Sequence, residues 1–333
     1  MKFTKYHGTG NDFILIDNRQ KQWENFVSRF EVQPVVLSQI PVNNKTYSKE
    51  NIAVFELCHR YFGIGADGLM LLQPHAELDF EMVYFNSDGQ PSSMCGNGGR
   101  CIAHFAASLG ICHRTLENNQ NRDECSVAFW APDGKHSAQI KVKEQRVSLS
   151  MNPVTSVESY PQLQNSWVLN TGSPHFIALL NSGELESDLF NNDRDESFVT
   201  WAKSIRYNSD FSSQGINVNR VLRIGEAEIA MRTYERGVEN ETLSCGTGVT
   251  AAAIASFYST LKSDKDKSHV HVVNNNAGHA LHTPEFSHPA FPITIAVITK
   301  GGELSVSFNY VGNGKFEDVQ LTGPVMPIFS GLL

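Results

Sequence analysis

Cysteine is scarce in this chain: six in 333 residues, at positions 58, 95, 101, 112, 125 and 245, with no CxxC among them. Such dispersion argues against a thiol–disulfide oxidoreductase and points to free thiols in a reducing compartment. Long apolar runs are missing as well. No stretch approaches the roughly 20 residues that a spanning helix needs, and Met1–Gly8 lacks the apolar core of a secretion signal. Basic tracts are absent: 27 Lys and Arg stand against 35 Asp and Glu, a net charge of −8. Nucleic acid and anionic membranes are therefore poor partners, and a soluble, cytoplasmic protein is expected. The glycine-dense turn Gly63-Ile64-Gly65-Ala66-Asp67-Gly68 is followed by an apolar strand and by no Gly-Lys-Ser/Thr, which excludes a phosphate-binding loop. No signature for pyridoxal phosphate is present, and no cofactor is expected. Five histidines (His269, His271, His279, His282, His288) lie in one polar segment, but no cysteine or carboxylate completes a ligand set, so no metal is expected.

What is present suffices for a sizeable core. The chain is 41% hydrophobic and 19% charged, and its length favours two domains. Its most informative stretch is Ser244-Cys245-Gly246-Thr247-Gly248 followed by the alanine-rich Val249–Ala255. This reads as a helix starting at Gly246 or Thr247, with a thiol at its positive end and an apolar surface nearly all round. The same plan occurs at Cys95-Gly96-Asn97-Gly98-Gly99-Arg100-Cys101, a helix with Cys101, Ile102, Phe105, Ala106 and Leu109 inward and a stop at Gly110. Tyr84 precedes Cys95, and Tyr234 precedes Cys245, by the same eleven residues. The order of strand, turn and cysteine also matches, so an internal duplication is expected, with the halves joined near residues 151–167.

Elsewhere, Phe13–Ile16, Leu69–Leu72, Phe80–Phe85 and Ala227–Tyr234 read as strands, and Ser126–Met151 as alternating strands around a Pro132-Asp133-Gly134 turn. Ser48 caps a helix whose apolar face is Ile52, Phe55, Leu57, Cys58 and Tyr61, with Gly63 as its stop. Residues 18–47 show no clear period, and 263–288 read as an inserted surface loop. His7-Gly8-Thr9-Gly10-Asn11-Asp12 is a loop where a backbone can approach a ligand, although an ordinary hairpin carries the same residues.

A thiol at a helix start is stabilised as thiolate, and the neighbouring N–H groups can hold a carboxylate. One such site suggests a nucleophile. Two, one per repeat, suit inversion of a Cα–H centre, with one thiolate removing the proton from one face and the opposite thiol returning one to the other.

The ordered motifs His7–Phe13, Gly63–Gly68, Cys95–Cys101, Gly172-Ser173-Pro174-His175, Tyr234-Glu235-Arg236-Gly237, Ser244–Gly248 and Leu321-Thr322-Gly323-Pro324 resemble those of the diaminopimelate epimerases over nearly the whole chain. The resemblance implies an α+β fold of two pseudo-symmetric domains, each with mixed strands wrapped around a central helix. It places residues 1–150 plus 323–333 in the N-terminal domain with Cys95, and 151–322 in the C-terminal domain with Cys245. It also implies a homodimeric, cofactor-free epimerase acting on a small amino acid, LL-2,6-diaminopimelate. Carried over, Cys95 and Cys245 are the acid–base pair, tuned by His175 and Glu235. Gly96, Asn97, Gly246 and Thr247 hold the reacting carboxylate. Asn11, Asn86, Asn217, Glu235 and Arg236 hold the distal end, with Asn217 on the weaker match Gly215–Asn219, where a turn asparagine would look alike. Two positions depart from the usual pattern, Ser173 for asparagine and Gly68 for glutamine. A proline or hydroxyproline racemase, or another isomerase of the same fold such as the phenazine-pathway type, is the alternative.

Overall fold

The computed structural model describes residues 1–40, 46–113, 123–180, 195–268 and 292–333. Part of the stretch 18–47, residues 41–45, and the five histidines lie outside the described residues. The chain forms two compact units. The first comprises Met1–Met151, Gly301–Leu304 and Leu321–Leu333; the second comprises Asn152–Lys300 and Ser305–Gln320.

In chain order, the elements up to Met151 are β1 (Lys2–Gly8), β2 (Asn11–Asp17), α1 (Gln22–Arg29), α2 (Pro34–Leu37), α3 (Lys49–Cys58), β3 (Gly68–Gln73), β4 (Phe80–Asn86), α4 (Gly96–Ser108), β5 (Glu124–Ala131), β6 (Gly134–Lys141) and β7 (Arg146–Ser150). There follow β8 (Val157–Ser159), β9 (Ser166–Asn170), β10 (Pro174–Leu179), α5 (Asp195–Arg206), β11 (Asn217–Arg223), β12 (Glu228–Glu235), β13 (Asn240–Thr242), α6 (Gly246–Ser268), β14 (Ile293–Thr299), β15 (Gly302–Gly312), β16 (Lys315–Pro324) and β17 (Met326–Leu332).

The two units repeat one pairing plan. In the first, β17, β1 and β2 pair antiparallel in turn, β2 pairs parallel with β3, β3 antiparallel with β4, and β4 parallel with β5. In the second, β8, β9 and β10 pair antiparallel, β10 pairs parallel with β11, β11 antiparallel with β12, and β12 parallel with β14. Each plan wraps one helix. α4 packs against β1, β2, β3, β5, β6 and β7, and α6 against β9, β10, β11, β12 and β14. Burial on every side explains their composition: Cys101, Ile102, Ala103 and Ala106 are fully buried, and so are Val249 and all of Ala251–Ala255. This is an α+β fold.

Several local expectations need correction. α3 starts at Ser48 with a reciprocal capping box to Asn51, but it ends at Cys58, and Tyr61 is 90% exposed. α4 ends one residue before Leu109, which lies outside the core at 37% exposure. Helix α6 continues to Ser268, so residues 263–268 belong to it and not to a loop. The stretch 18–47 holds two helices. α1 places Trp23, Phe26 and Val27 on one face, and its last turn leads into Phe30; all four pack into the first unit's core beside Ile14, Leu57 and Leu71.

Candidate active site

In the first unit Cys95 is the N-cap of α4, half-buried and in extended backbone geometry. Its Sγ lies 3.6 Å from Asn11 Oδ1, which also accepts from Asn97 Nδ2 at 3.5 Å. The orientation of the Asn11 amide is set from behind, because its Nδ2 donates to Asp67 Oδ2 at 2.6 Å. A carboxylate can only accept there, so the carbonyl end of Asn11 must face the thiol. Asp67 is itself tied to Asp12 and Arg60. Arg60 bridges the two carboxylates at 2.9 Å and 2.6 Å, and Lys5 reaches Asp12 at 2.7 Å. Burial works to raise the Asp12 carboxyl, but Arg60 and Lys5 outweigh it and hold the group down at about 2. Burial and the neighbouring Asp12 raise Asp67.

In the second unit Cys245 directly precedes α6 and is 8% exposed. Its Sγ lies 3.4 Å from Thr247 Oγ1, which lies 2.9 Å from His175 Nε2 and 3.0 Å from Ser173 Oγ. His175 is fully buried, and that burial, with Arg236 adding to it, pushes its imidazole down to about 3. The ring is therefore neutral, and its tautomer follows from Asn219. Asn219 Nδ2 donates to the Phe176 carbonyl at 3.0 Å, while its Oδ1 accepts from Thr233 at 2.9 Å. The same Nδ2 faces His175 Nδ1 at 3.2 Å. Nδ1 is then the acceptor, and the ring proton sits on Nε2 and points at Thr247, whose own hydroxyl proton can be directed at Cys245.

Both helices begin with glycine, so the first N–H groups are bare at their positive ends. The third residue after each cysteine is a glycine packed close against a neighbouring side chain. A Cβ on Gly98 would lie 1.9 Å from Met70 Cε, and one on Gly248 would lie 2.8 Å from Asn219 Oδ1.

The structure gathers Cys95, Gly96, Asn97 and Asn11 in one cluster, and Cys245, Gly246, Thr247, His175 and Asn217 in the other. Asn217 Nδ2 donates to Ser173 Oγ at 3.2 Å and to the Pro174 carbonyl at 3.0 Å, and its Oδ1 accepts from the Arg236 backbone N–H at 2.9 Å. Arg236 is exposed, with Nη1 on the Gln214 carbonyl at 3.1 Å. Glu235 ends β12, opposite Asn240. Asn86 is exposed at the end of β4, opposite Gly68. A side chain at Gly68 would meet the Phe85 carbonyl at 2.6 Å. Ser173 is turned into the Thr247 cluster.

Sequence reasoning passed over Asn219, Asp67 and Thr9, the last lying 3.4 Å from Asn97 Oδ1. For Asn219 a signal existed: it stands two residues from Asn217 on β11 and so shares its face. Among the described residues no group of His, Cys, Asp and Glu is arranged to hold a metal.

The fold of two repeated units, each wrapped around one helix, is shared with solved structures named as racemases and epimerases. Solved structures with this fold include a probable proline racemase from Agrobacterium radiobacter (TM-score 0.58, 14% identity, 100% of this chain and 92% of that one). A hydroxyproline epimerase from Agrobacterium vitis is similar over 99% of this chain and 90% of its own (TM-score 0.57, 14% identity). At the sequence level, the family model described as diaminopimelate epimerase matches residues 3–157 and 167–282. The diaminopimelate epimerase of Flavobacterium psychrophilum is 38% identical over 99% of this chain and 98% of its own length. That of Aquifex aeolicus is 31% identical over 100% and 98%. The chain belongs to the diaminopimelate epimerase family, and it is an isomerase.

Proposed function

We propose that the protein converts LL-2,6-diaminopimelate to the meso form by a cofactor-free, two-base mechanism, for lysine and peptidoglycan synthesis. The observation that carries this reading is the recurrence, in two repeated units, of a cysteine at the bare N-terminus of a helix whose first turns are buried. A thiolate of the pair takes the Cα proton, and the electron pair of that C–H bond passes into the substrate's carboxylate system. The other thiol then gives its proton to the opposite face of Cα, so the pair ends with its proton states exchanged. The N–H groups of Gly96, Asn97, Gly246 and Thr247 hold the carboxylate on which charge develops. His175 and Glu235 tune the thiols; for His175 the route is the Thr247 hydroxyl. Asn11, Asn86, Asn217, Glu235 and Arg236 take the distal zwitterion, where Arg236 can pair with a carboxylate bidentately.

Kinship with proteins named diaminopimelate epimerase supports the substrate. We place the enzyme in the cytoplasm as a homodimer, a state that light scattering after gel filtration would check. The decisive assay is wash-in of deuterium from D2O at the α-carbon. Exchange with LL-diaminopimelate and reduced protein is expected. No exchange would sink the proposal, and exchange with proline alone would select the proline racemase reading instead.

A further inference from the structure

Two of the residues proposed to meet the distal end of the substrate, Glu235 and Arg236, stand where β12 leaves the sheet. The turn from β12 to β13 runs Arg236-Gly237-Val238-Glu239, and its first three residues are exposed. Gly237 lies at φ 93 and Glu239 at φ 56, both in the left-handed region. A glutamate adopts that backbone at a cost in free energy, and keeps it only where its surroundings hold it. Without an anchor, ordering such a turn each time a ligand binds would weaken affinity.

Glu239 supplies the anchor. Its backbone N–H donates to the Glu235 carbonyl at 2.8 Å and closes the turn. Its carboxylate folds back over the loop, where Oε1 accepts from the Gly237 N–H at 3.1 Å and from Arg206 Nη2 at 3.0 Å. Oε2 accepts from the Tyr207 hydroxyl at 2.7 Å and from the Tyr234 hydroxyl at 3.3 Å. A carboxylate can only accept, so all four protons point at it. Burial works to raise this carboxyl, but Tyr207, the Gly237 N–H and Arg206 outweigh it and hold the group below its ordinary value.

Arg206, the last residue of α5, ties this anchor to the guanidinium of Arg236. Among the described residues its Nε and Nη1 are buried with no hydrogen-bond partner, so its charge is committed to Glu239. Its guanidinium packs on Gly215 (φ 73), where a Cβ would lie 2.7 Å from Cζ. The preceding residue, Gln214, offers the carbonyl that receives Arg236 Nη1 at 3.1 Å, while the Arg236 backbone N–H donates to Asn217 Oδ1 at 2.9 Å. The backbone and the side chain of Arg236 are thus set by one assembly, with the Arg206–Glu239 pair at its centre.

We infer that Glu239, paired with Arg206, is a positioning residue that presets the Arg236 turn for the distal carboxylate of the substrate. The inference deepens the proposed reaction and rests on that reading for the role of Arg236. Glu239 acts on substrate binding and leaves proton transfer alone.

Steady-state kinetics with LL-diaminopimelate are compared in wild type, Glu239→Ala, Glu239→Gln and Arg236→Ala, and in Glu239→Ala on the Arg236→Ala background. Glu239→Ala should raise KM about tenfold, within the range of coupling between residues of one network, with kcat little changed. Glu239→Gln keeps an acceptor for the Gly237 N–H and should recover part of the loss. On the Arg236→Ala background the Glu239 substitution should move KM by less than about twofold, because its effect runs through Arg236. A general loss of stability would act alike on both backgrounds. In parallel, hydrogen exchange by mass spectrometry follows the amides of residues 235–240 without substrate, where Glu239→Ala should exchange faster than wild type. Circular dichroism checks folding, and Glu239→Gln carries the exchange test if the alanine variant does not fold. Unchanged exchange across the turn overturns the inference, and so does an equal effect on KM in the two backgrounds. Arg236→Ala with unchanged KM refutes the distal-carboxylate reading itself; the exchange data still decide whether Glu239 holds the turn.

Discussion

His175 offers the sharpest quantitative test of the second half-site. Its imidazole is buried and held at about 3, against 6.5 for the free group. In the unfolded chain the ring takes up its proton as pH falls through about 6.5, while the folded ring stays neutral until pH approaches the low value. The protein therefore loses stability on the acid side of about pH 6.5, and the loss is complete only near the folded value. Between pH 7 and pH 4.5 the difference in proton uptake amounts to about 2.5 kcal/mol. At pH 4.5 that figure is insensitive to an error of a unit in the folded value, because the folded ring is still neutral. The perturbation is His175→Gln, which removes the titrating group. Urea unfolding at both pH values should show an acid-side loss smaller by about 2.5 kcal/mol in the variant than in wild type. The double difference cancels every group that titrates alike in both proteins, including the cost of the lost hydrogen bonds. Nitrogen NMR of wild type provides a direct check: Nδ1 should be unprotonated and Nε2 protonated down to about pH 5. A ring titrating near 6.5, or equal acid-side losses in the two proteins, would refute the reasoning.

Other expectations follow from single contacts. Cys95→Ser and Cys245→Ser should each lower kcat/KM by about 10³-fold, within the range for losing one acid–base group, while substrate binding by calorimetry persists; full turnover in either would show the pair to be wrong. Gly248→Ala drives a Cβ to 2.8 Å from Asn219 Oδ1 and 3.3 Å from His175 Cε1. It should cost about 1–3 kcal/mol by urea unfolding and impair turnover as well. Ser48→Ala removes the capping box of α3 and should cost about 1 kcal/mol with no effect on activity.

The parts that could be read from the chain alone are those whose signal is local. The starts of α4 and α6 were legible because a cysteine, a glycine and an apolar helix stand consecutively. The repeat was legible because its spacing survives even where the letters do not. α1 escaped notice although Trp23, Phe26, Val27 and Phe30 keep helical spacing. It opens on Lys21 at φ 56 with no capping side chain, so the usual start signal is missing. Tyr61 and Leu109 were misplaced for the opposite reason, since the apolar letters continue past the point where the backbone leaves the helix at His59 and Leu109. At the site, the motif residues were visible but the groups that orient them were not. Asp67 reaches Asn11 from 56 positions away, and Asn219 reaches His175 from 44. Such contacts arise from the parallel register of β2 with β3 and of β10 with β11, which no local window contains.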